Sequence, residues 1–456
     1  MVEVPVKIYI TNLLKQARGA VRPLALLPSV TKNRALLGMV ERLMADEEVI
    51  LEANRQDVEA VGKTLVGETN KDTVKEAVER VRLTDEAIRE MVERLREVAE
   101  LPDPVGEVTK IWKRPNGMEV SRVRVPIGVI GIISDAGPTV TSEAVALCLK
   151  SGNVCVVRGG TESLRSTAVI ARCLREAAEQ AGVPAGAMTF VERPEREAVL
   201  ELLRDNKYVD AIIPRGSVGL RKTVVEQTRL PVLSHDLGIC HIYIDANADL
   251  PLAQNVVVNS KVQLPSAPNA ADTLLVHQAA ARGLVPGLVR RLLDEFKVEV
   301  HGCPKTVALT GSEQMTGYKA VIEAKEEDWG RQFQAPTLAV KVVKDMDEAL
   351  EHIAKYGPGH TATIVTRDYA AAMRFVREVD SGAVLVNAST RLHDGREFGL
   401  GGAIGISTAR IHARGPVSLE DLTCQKYVVL GTGQLRQPHP VPTTYEDAIM
   451  LKKGLG

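Results

Sequence analysis

The chain has 456 residues, of which 45% are hydrophobic and 25% are charged, and its formal net charge is -1. This is the composition of a folded globular protein, and the length predicts two or three domains. The near-neutral charge and the lack of an apolar run of about 18 residues exclude a nucleic-acid-binding class and a membrane-spanning class.

The six cysteines form no C-x-x-C pair, which favours reduced thiols over a disulfide framework or a zinc site. The N-terminal segment has no basic start, no long apolar centre and no small-residue cleavage site, so it does not resemble a secretory signal. We therefore expect a cytoplasmic protein that holds no metal ion.

Residues 31–105 are predicted to be helical. In the stretch LTDEAIREMVERLREVAEL, apolar residues recur at the spacing of one helix face, namely Ile88, Met91, Val92, Leu95 and Val98. Thr84 is the predicted N-cap of this helix, with Asp85 and Glu86 in the first turn. The segment LPDPVGE then ends it.

Between residues 125 and 235, short apolar runs alternate with helical stretches. The predicted strands lie in VPIGVIGII, NVCVVRGG, AMTFVE, VDAIIPRG and LPVLSHD. Because the runs are apolar throughout and helices separate them, we expect a parallel sheet covered on both faces. This pattern is typical of a Rossmann-like, doubly wound domain.

A second alternating block runs from 241 to 390 and predicts a second α/β domain. Its predicted strands lie in CHIYID, DTLLVH, TVALTG, LAVKVV, TATIVT and AVLVNAS, and its predicted helices include MDEALEHIAKYG and YAAAMRFVREV. The Pro-rich segment 431–456 is predicted to be an extension with a short helical end, lying on the surface or on a neighbouring subunit. A disordered tail is the alternative.

Two turns that join a strand to a helix have the features of a phosphate site. The candidate cofactor-binding residues are Arg158, Gly159 and Gly160 in VVRGGTES, and Arg215, Gly216 and Ser217 in IPRGSVGL. Glycines let the backbone approach a ligand, a helix N-terminus favours an anion, and arginine pairs with phosphate. Neither turn is a G-x-G-x-x-G, and such turns are often structural. Two of them in successive units favour dinucleotide binding.

A glycine-rich loop, EFGLGGAIGIST, comes after the last predicted strand. Glu397 can accept hydrogen bonds from a ribose, and Phe398 lies beside it in the sequence. We count both as candidate cofactor-binding residues. A mobile connector is the alternative.

The order and spacing of stretches across residues 7–430 resemble those of the γ-glutamyl phosphate reductases, also called glutamate-5-semialdehyde dehydrogenases, of the aldehyde dehydrogenase superfamily. The similar stretches include NRALLGMVERL, PIGVIGII, ALCLKSGNVCVVRGG, DAIIPRGSVGL, VNSKVQ, GHTATIVT, REVDSGAVLVNASTR and FGLGGAIGIST. The resemblance implies an aldehyde dehydrogenase-like α/β fold. The parts it implies are a Rossmann-like NADP-binding domain (1–107 and 126–234), a second α/β catalytic-type domain (235–410), a small β oligomerisation flap (108–125 and 411–432) and a tail (433–456).

The resemblance also implies a reaction, a cofactor and an assembly. The family reaction is the NADPH-dependent reduction of L-glutamate 5-phosphate to glutamate 5-semialdehyde in proline biosynthesis, through a thioester on a cysteine. NADP(H) is therefore the expected cofactor, although NAD is not excluded. The strand LTCQKYVVL would pair onto the sheet of a neighbouring subunit, in a homodimer or homotetramer.

The chain departs from the family pattern where the nucleophile should be. The family segment resembles Q-R-P-x-x-C-N-x-x-E-T, and without a gap its cysteine corresponds to Pro268, its arginine to Leu264 and its asparagine to Asn269. Proline has no thiol, so it forms no thioester, and it has no backbone N–H that could donate to an oxyanion. Pro268 thus marks the position of a missing catalytic cysteine.

Two further segments have lost polar residues. In a segment resembling E-A-R-P-N-V-T, the arginine corresponds to Gly137 and the asparagine to Thr139. In a segment resembling G-A-E-I-G-I-S-T, the glutamate corresponds to Ala403. Loss of arginine removes a cation suited to bidentate binding of phosphate or carboxylate. The changes in these three segments together indicate a lost or altered reaction.

Three hypotheses remain for the function. The first, which we favour, is a silent or repurposed paralogue that still binds NADP(H). The second is an altered reductase acting on a related acyl compound or aldehyde, and the third is an active glutamate-5-semialdehyde dehydrogenase with a non-standard nucleophile. Cys240 is a weak candidate for that nucleophile, because a packed structural thiol explains it more simply, and Ser266 has no histidine near it in sequence.

Overall fold

The computed structural model describes residues 4–64, 71–234, 238–311 and 321–436, together with Tyr445 and Ile449, and only the backbone at 71–73 and 76. The helices of these ranges are α1 (Val6–Ala25), α2 (Ser29–Ala45), α3 (Glu47–Thr64), α4 (Lys71–Val81), α5 (Asp85–Glu100), α6 (Val140–Lys150), α7 (Leu164–Gln180), α8 (Arg196–Arg204), α9 (Val218–Gln227), α10 (Leu250–Val262), α11 (Gln278–Asp294), α12 (Pro304–Thr310), α13 (Glu326–Trp329), α14 (Met346–Tyr356) and α15 (Tyr369–Glu378). Within the described part of the chain, no helix has both the length and the apolar character needed to cross a bilayer.

The strands of the same ranges form four sheets. They are β1 (Val108–Lys113), β2 (Glu119–Pro126), β3 (Val129–Ser134), β4 (Val154–Arg158), β5 (Met188–Phe190), β6 (Ala211–Arg215), β7 (Cys240–Ile244), β8 (Ala271–His277), β9 (Glu299–Gly302), β10 (Ile322–Glu323), β11 (Thr337–Val343), β12 (Thr361–Val365), β13 (Ala383–Val386), β14 (Ile406–Ser407), β15 (Gly415–Pro416) and β16 (Thr423–Leu430).

The chain divides into two compact units, a first unit of Met1–Val232 with Ser418–Gly456 and a second unit of Leu233–Val417. The first unit contains a parallel sheet in the order β5-β4-β3-β6. Every residue of β3 and β4 is buried, because helices cover both faces of a doubly wound sheet. The predicted Rossmann-like, doubly wound parallel sheet is confirmed.

Helix α5 shows why the helical segment folds as its sequence predicts. The hydroxyl of Thr84 accepts a hydrogen bond from the N–H of Ala87 at 3.2 Å, so the predicted N-cap is present. The apolar face that begins at Ile88 is buried. Asn54 connects α3 to the turn between α4 and α5. Its side chain donates to the carbonyl of Val81 at 2.8 Å and accepts from the N–H of Leu83 at 2.8 Å.

The first unit also carries an antiparallel sheet in the order β1-β2-β16. Thr423 to Leu430 of β16 pair with Pro126 to Glu119 of β2. Within the chain, LTCQKYVVL pairs along one edge with β2, and its expected pairing onto a neighbouring subunit stays a prediction. Backbone groups on one edge of β16 find their partners in β2, which lies next to it in the flap.

The second unit contains a parallel sheet in the order β10-β9-β11-β8-β7-β12-β13. Successive residues of one strand pack on opposite faces: Ile242 and Ile244 of β7 join a core beneath α10 and α11, whereas Tyr243 joins a core beneath α14 and α15. A sheet with apolar side chains on both faces is the arrangement that the second alternating block predicts.

Two predicted strands are wrong. TVALTG belongs to helix α12, and the strand lies just before it at Glu299–Gly302. Periodicity cannot distinguish a short apolar run in a strand from one in a helix. Pro304 in the first turn favours the start of a helix at this position. LPVLSHD contributes a single bridge, Val232 to Ile212, and residues 235–237 lie outside the described ranges. The predicted helical end of the tail also lies mostly outside them.

Candidate active site

The first candidate site lies in the second unit, where the loop 263–270 connects α10 to β8. Pro268 is exposed on this loop, and the next residue, Asn269, is buried. The amide of Asn269 donates to the carbonyl of Arg391 at 3.3 Å and to that of His393 at 3.0 Å. These bonds fix the loop against the segment after β13 and leave Pro268 on the outside.

Cys240, the first residue of β7, lies beneath this loop and is fully buried. Its thiol lies 3.2 Å from the carbonyl oxygen of Gly238, 3.4 Å from that of Pro268 and 3.5 Å from Nδ1 of His360. Burial, reinforced by the nearby carboxylate of Asp272, raises the pKa of Cys240 far above its ordinary value. The thiol is therefore protonated at neutral pH, whereas a nucleophilic cysteine works as the thiolate.

Asp272 and Lys261 form a buried ion pair beside Cys240. The Asp272 carboxylate accepts the N–H of Cys240 at 3.2 Å and that of Phe333 at 3.0 Å. Lys261 Nζ lies 3.9 Å from Asp272 and has no hydrogen-bond partner among the described residues. Burial raises the pKa of Asp272 to about 6 and lowers the pKa of Lys261. The pair holds the N-terminal end of β7 in place.

Two buried histidines share one hydroxyl at the start of β12. Thr361 Oγ1 lies 2.7 Å from Nδ1 of His360 and 2.8 Å from Nδ1 of His393. A hydroxyl has one proton, so at least one of the two imidazoles carries its proton on Nδ1. Burial lowers the pKa of His393 to about 4, so this ring is neutral at neutral pH. The Thr361 hydroxyl therefore connects the His360 ring, which lies 3.5 Å from the Cys240 thiol, to the neutral ring of His393.

The glycine-rich loop after β13 also lies in the second unit. The ring of Phe398 stacks on that of His393 with centroids 5.7 Å apart, and both Phe398 and Glu397 are exposed. Ala403 packs against Gly395, where an added Cβ would lie 2.9 Å from the Ala403 methyl. The loop is therefore fitted to small residues at these two positions.

The second candidate site lies in the first unit, at the carboxyl edge of the sheet β5-β4-β3-β6. Arg158, which ends β4, is buried and donates to Thr161 Oγ1 at 3.1 Å and to the Pro194 carbonyl at 3.0 Å. Its Nε has no partner within the described ranges. A Cβ on Gly159 would lie 2.9 Å from Thr167, whereas Gly160 has more room. A buried guanidinium that is hydrogen-bonded only to neutral groups and lies beside a glycine turn fits a phosphate group.

The turn between β6 and α9 is already occupied by a carboxylate. Gly216 has φ +129°, and a Cβ there would lie 1.6 Å from Asp135 Oδ1. Asp135 accepts the Ser217 N–H at 2.8 Å and also accepts the Ser217 hydroxyl. Arg215, next to this turn, has a buried Nε without a partner among the described residues. The edge thus offers cations for a dinucleotide, but the N–H of Ser217, the N-cap residue of α9, is bonded to Asp135.

The loop between β3 and α6 leaves no space for a side chain at position 137. A Cβ on Gly137 would lie 2.9 Å from the carbonyl oxygen of Arg80, so the main chain that ends α4 fills this space. Thr139 precedes α6 and makes no side-chain cap. An arginine at 137 would require α4 to move.

The structure brings Pro268, Asn269 and Cys240 together in the second unit, and Arg158, Gly159, Gly160, Arg215, Gly216 and Ser217 to one sheet edge in the first. The residues that sequence reasoning missed are Asp135, Lys261, Asp272, His360 and His393. A carboxylate inside the apolar run of β8 was the signal for Asp272, and the others give no local signal. Among the described residues, no group of three His, Cys, Asp or Glu side chains is placed to hold a metal ion.

Comparison with known proteins agrees with this architecture. Residues 9–329 and 325–428 match the aldehyde dehydrogenase family. The chain belongs to the aldehyde dehydrogenase family. Within this family it is 45% identical over 432 residues to the gamma-glutamyl phosphate reductase of Thermodesulfovibrio yellowstonii, covering 95% of this chain and 100% of that protein.

Solved structures also superpose on this chain. The crystal structure of gamma-glutamyl phosphate reductase from Thermotoga maritima is 42% identical, with a TM-score of 0.87, and the match covers 94% of this chain and 100% of that one. An engineered glycolyl-CoA reductase with bound NADP+ shares the fold at 17% identity, with a TM-score of 0.65, over 92% of this chain and 96% of that one.

Proposed function

We propose that this γ-glutamyl phosphate reductase homologue binds NADP(H) in its first unit but forms no cysteine thioester at position 268, and that it is a silent or repurposed paralogue. The observation that carries the proposal is the exposed Pro268 on the loop 263–270, above a Cys240 thiol that is buried and protonated. In another enzyme class, removal of the nucleophile costs on the order of 10⁶ in turnover.

The neighbouring side chains offer no ready substitute. Ser266 is exposed on the same loop and has no histidine as a hydrogen-bond partner among the described residues. Leu264 is also exposed, so the position expected to carry an arginine has an apolar side chain instead. Acyl-phosphate chemistry would therefore lack a thiol nucleophile at position 268 and a guanidinium at position 264.

Cofactor binding is proposed for the carboxyl edge of the first unit's sheet. Arg158 and Arg215 would hold phosphate groups, and the turn at Gly159 and Gly160 would let the backbone approach them. When bound, the nicotinamide would supply hydride-transfer chemistry. Family members use NAD or NADP, and the choice of NADP(H) rests on the resemblance to γ-glutamyl phosphate reductases.

A coupled assay tests the proposal. Purified protein receives glutamate 5-semialdehyde, phosphate and NADP+, and NADPH formation is followed for the wild type, for Pro268→Cys and for Ser266→Cys as a misplaced-thiol control. We expect no turnover by the wild type or Ser266→Cys, and a measurable gain in Pro268→Cys. Wild-type turnover comparable to that of the Thermotoga maritima enzyme assayed beside it would refute the proposal.

One contact favours a second candidate function, an active glutamate-5-semialdehyde dehydrogenase with Cys240 as its non-standard nucleophile. The 3.5 Å approach of Cys240 Sγ to His360 Nδ1 is the geometry of a thiol and its base, if the loop moves to admit a substrate. Any wild-type activity that Cys240→Ser abolishes, and that Cys148→Ser leaves unchanged, would support this function. Activity that survives Cys240→Ser would remove it.

We also propose that the flap assembles the protein as a homodimer or homotetramer. Within the described part of the chain, β16 is bonded along one edge to β2, and Tyr427, Val429 and Leu430 of this strand are exposed. An exposed strand edge with apolar side chains is a surface for strand addition. Light scattering should give a mass of two or four chains, and a proline substitution at Val428 should shift it toward one.

A further inference from the structure

A carboxylate of the chain itself occupies the start of α9. Asp135 comes directly after β3 and lies between the two glycine turns, because a Cβ on Gly160 would be 3.7 Å from its Cα and a Cβ on Gly216 would overlap its Oδ1. Its two oxygens take the N–H and the hydroxyl of Ser217, the N-cap residue of the ten-residue helix α9. Asp135 is thus bound in the place where an external anion would bind a helix N-terminus.

The surroundings point to a larger anion as the alternative occupant. Arg158 ends the adjacent strand, is 5% exposed and has an Nε without a partner among the described residues. Asp135 makes no ion pair with Arg158 or Arg215 within those residues. A guanidinium that is buried and incompletely bonded costs free energy, which a bound phosphate would recover.

We propose that the bond between Asp135 and Ser217 is an autoinhibitory clasp. While it is closed, the N–H and the hydroxyl of Ser217 at the N-cap of α9 are unavailable to a phosphate group, and the carboxylate repels one. Binding of a dinucleotide pyrophosphate requires the Asp135 side chain to turn away, so the observed affinity is reduced by the cost of opening. This inference rests on the proposed binding of NADP(H) to the first unit.

The clasp is able to open without unfolding. Ser217 is exposed and Asp135 is half-buried, so water can replace each hydrogen bond when the side chain turns. The Ser217 hydroxyl also accepts the N–H of Leu220 at 3.2 Å, which keeps α9 capped in the open form. Removal of the Asp135 carboxylate should therefore leave the fold intact.

Calorimetric titration of the full-length protein tests the clasp, with NADPH and inorganic pyrophosphate as separate probes. We expect Asp135→Ala to lower the Kd for both by about tenfold, or about 1.4 kcal/mol. Asp135→Asn should give a smaller gain, because the amide keeps one bond to Ser217 without the charge. Asp368→Ala is the matched control, since Asp368 caps α15 in the second unit through the N–H groups of Ala370 and Ala371.

The possible outcomes separate the clasp from the proposed function. Tighter binding of both probes by Asp135→Ala, with no change in Asp368→Ala, supports the clasp. Equal NADPH affinity in the wild type and Asp135→Ala overturns the clasp and leaves cofactor binding standing. Weaker binding by Asp135→Ala overturns it too, because Asp135 would then be a ligand for the cofactor. If neither protein binds NADPH, both the clasp and the proposed cofactor fail. Thermal melting verifies that each variant is folded.

Discussion

Replacement of Asp272 by asparagine should change how the stability of the second unit depends on pH. Burial raises the pKa of this carboxyl from its ordinary 3.8 to about 6. The folded state therefore holds the proton more tightly than the unfolded state, so the contribution of Asp272 to stability is greatest below pH 3.8 and declines as pH rises toward 6. Full ionisation costs about 3 kcal/mol, since one pKa unit corresponds to about 1.36 kcal/mol.

The measurable quantity is the difference in unfolding free energy between Asp272→Asn and the wild type. Linkage predicts that this difference moves in favour of Asp272→Asn by about 1 kcal/mol between about pH 5 and pH 7. The absolute value includes a loss of about 1–2 kcal/mol, because one of the N–H groups of Cys240 and Phe333 loses its acceptor. The change of this free-energy difference with pH therefore tests the buried carboxylate, whereas its absolute value does not.

Tryptophan fluorescence can follow the second unit alone. The chain has two tryptophans, and Trp329 is buried in the second unit whereas Trp112 lies in β1. In a Trp112→Phe background, urea unfolding at about pH 5, 6 and 7 reports on Trp329. The same comparison of the wild type with Asp272→Asn, made in a Lys261→Met background, separates the effect of the Asp272 carboxyl from that of the Lys261 ammonium. A difference that stays constant with pH in both backgrounds would refute the argument.

Three single contacts give further predictions. His301 donates to Glu299 and Asp328, each at 2.9 Å, and although burial of the ring opposes this, the two carboxylates raise the pKa of His301. The stability advantage of the wild type over His301→Gln in urea unfolding should therefore be full below about pH 6.5 and disappear as pH rises through the raised pKa. An advantage that grows with pH would contradict this. Gly216→Ala should lower stability by about 1–3 kcal/mol, because φ is +129° and the added Cβ meets Asp135. In the double variant, Asp135→Ala should relieve the clash but not the backbone strain, as thermal melting would show. Asn54→Ala should lower the free energy of unfolding by about 2–3 kcal/mol, because the Val81 carbonyl and the Leu83 N–H lose their partner. Gln56→Ala on the exposed side of α3 should lower it by less than about 0.5 kcal/mol. Equal losses of stability in urea unfolding would count against the role of Asn54.

Elements with a clear period and a clear end could be predicted from the sequence. Helix α5 has both, with Thr84 at its start and one apolar face, and each buried strand of the first unit is a short apolar run between turn residues. TVALTG could not be assigned, since a short apolar segment fits a strand and a helix equally well. That 423–430 forms a strand was predictable, but its partner depends on which edge is nearest in the folded chain.

The candidate sites also depend partly on features visible in the sequence and partly on the tertiary structure. The sequence by itself determined that Pro268, Leu264 and Gly137 stand where the resemblance expects reactive or cationic side chains, since residue identity needs no coordinates. Only the tertiary structure decided that Cys240 is buried and protonated beneath Pro268 and that Asp135 binds Ser217. The first pair is separated by 28 residues in sequence and the second by 82, so no local pattern encodes either contact. Packing of strands from distant segments sets the distances between these groups and their desolvation, and these two quantities decide the chemistry.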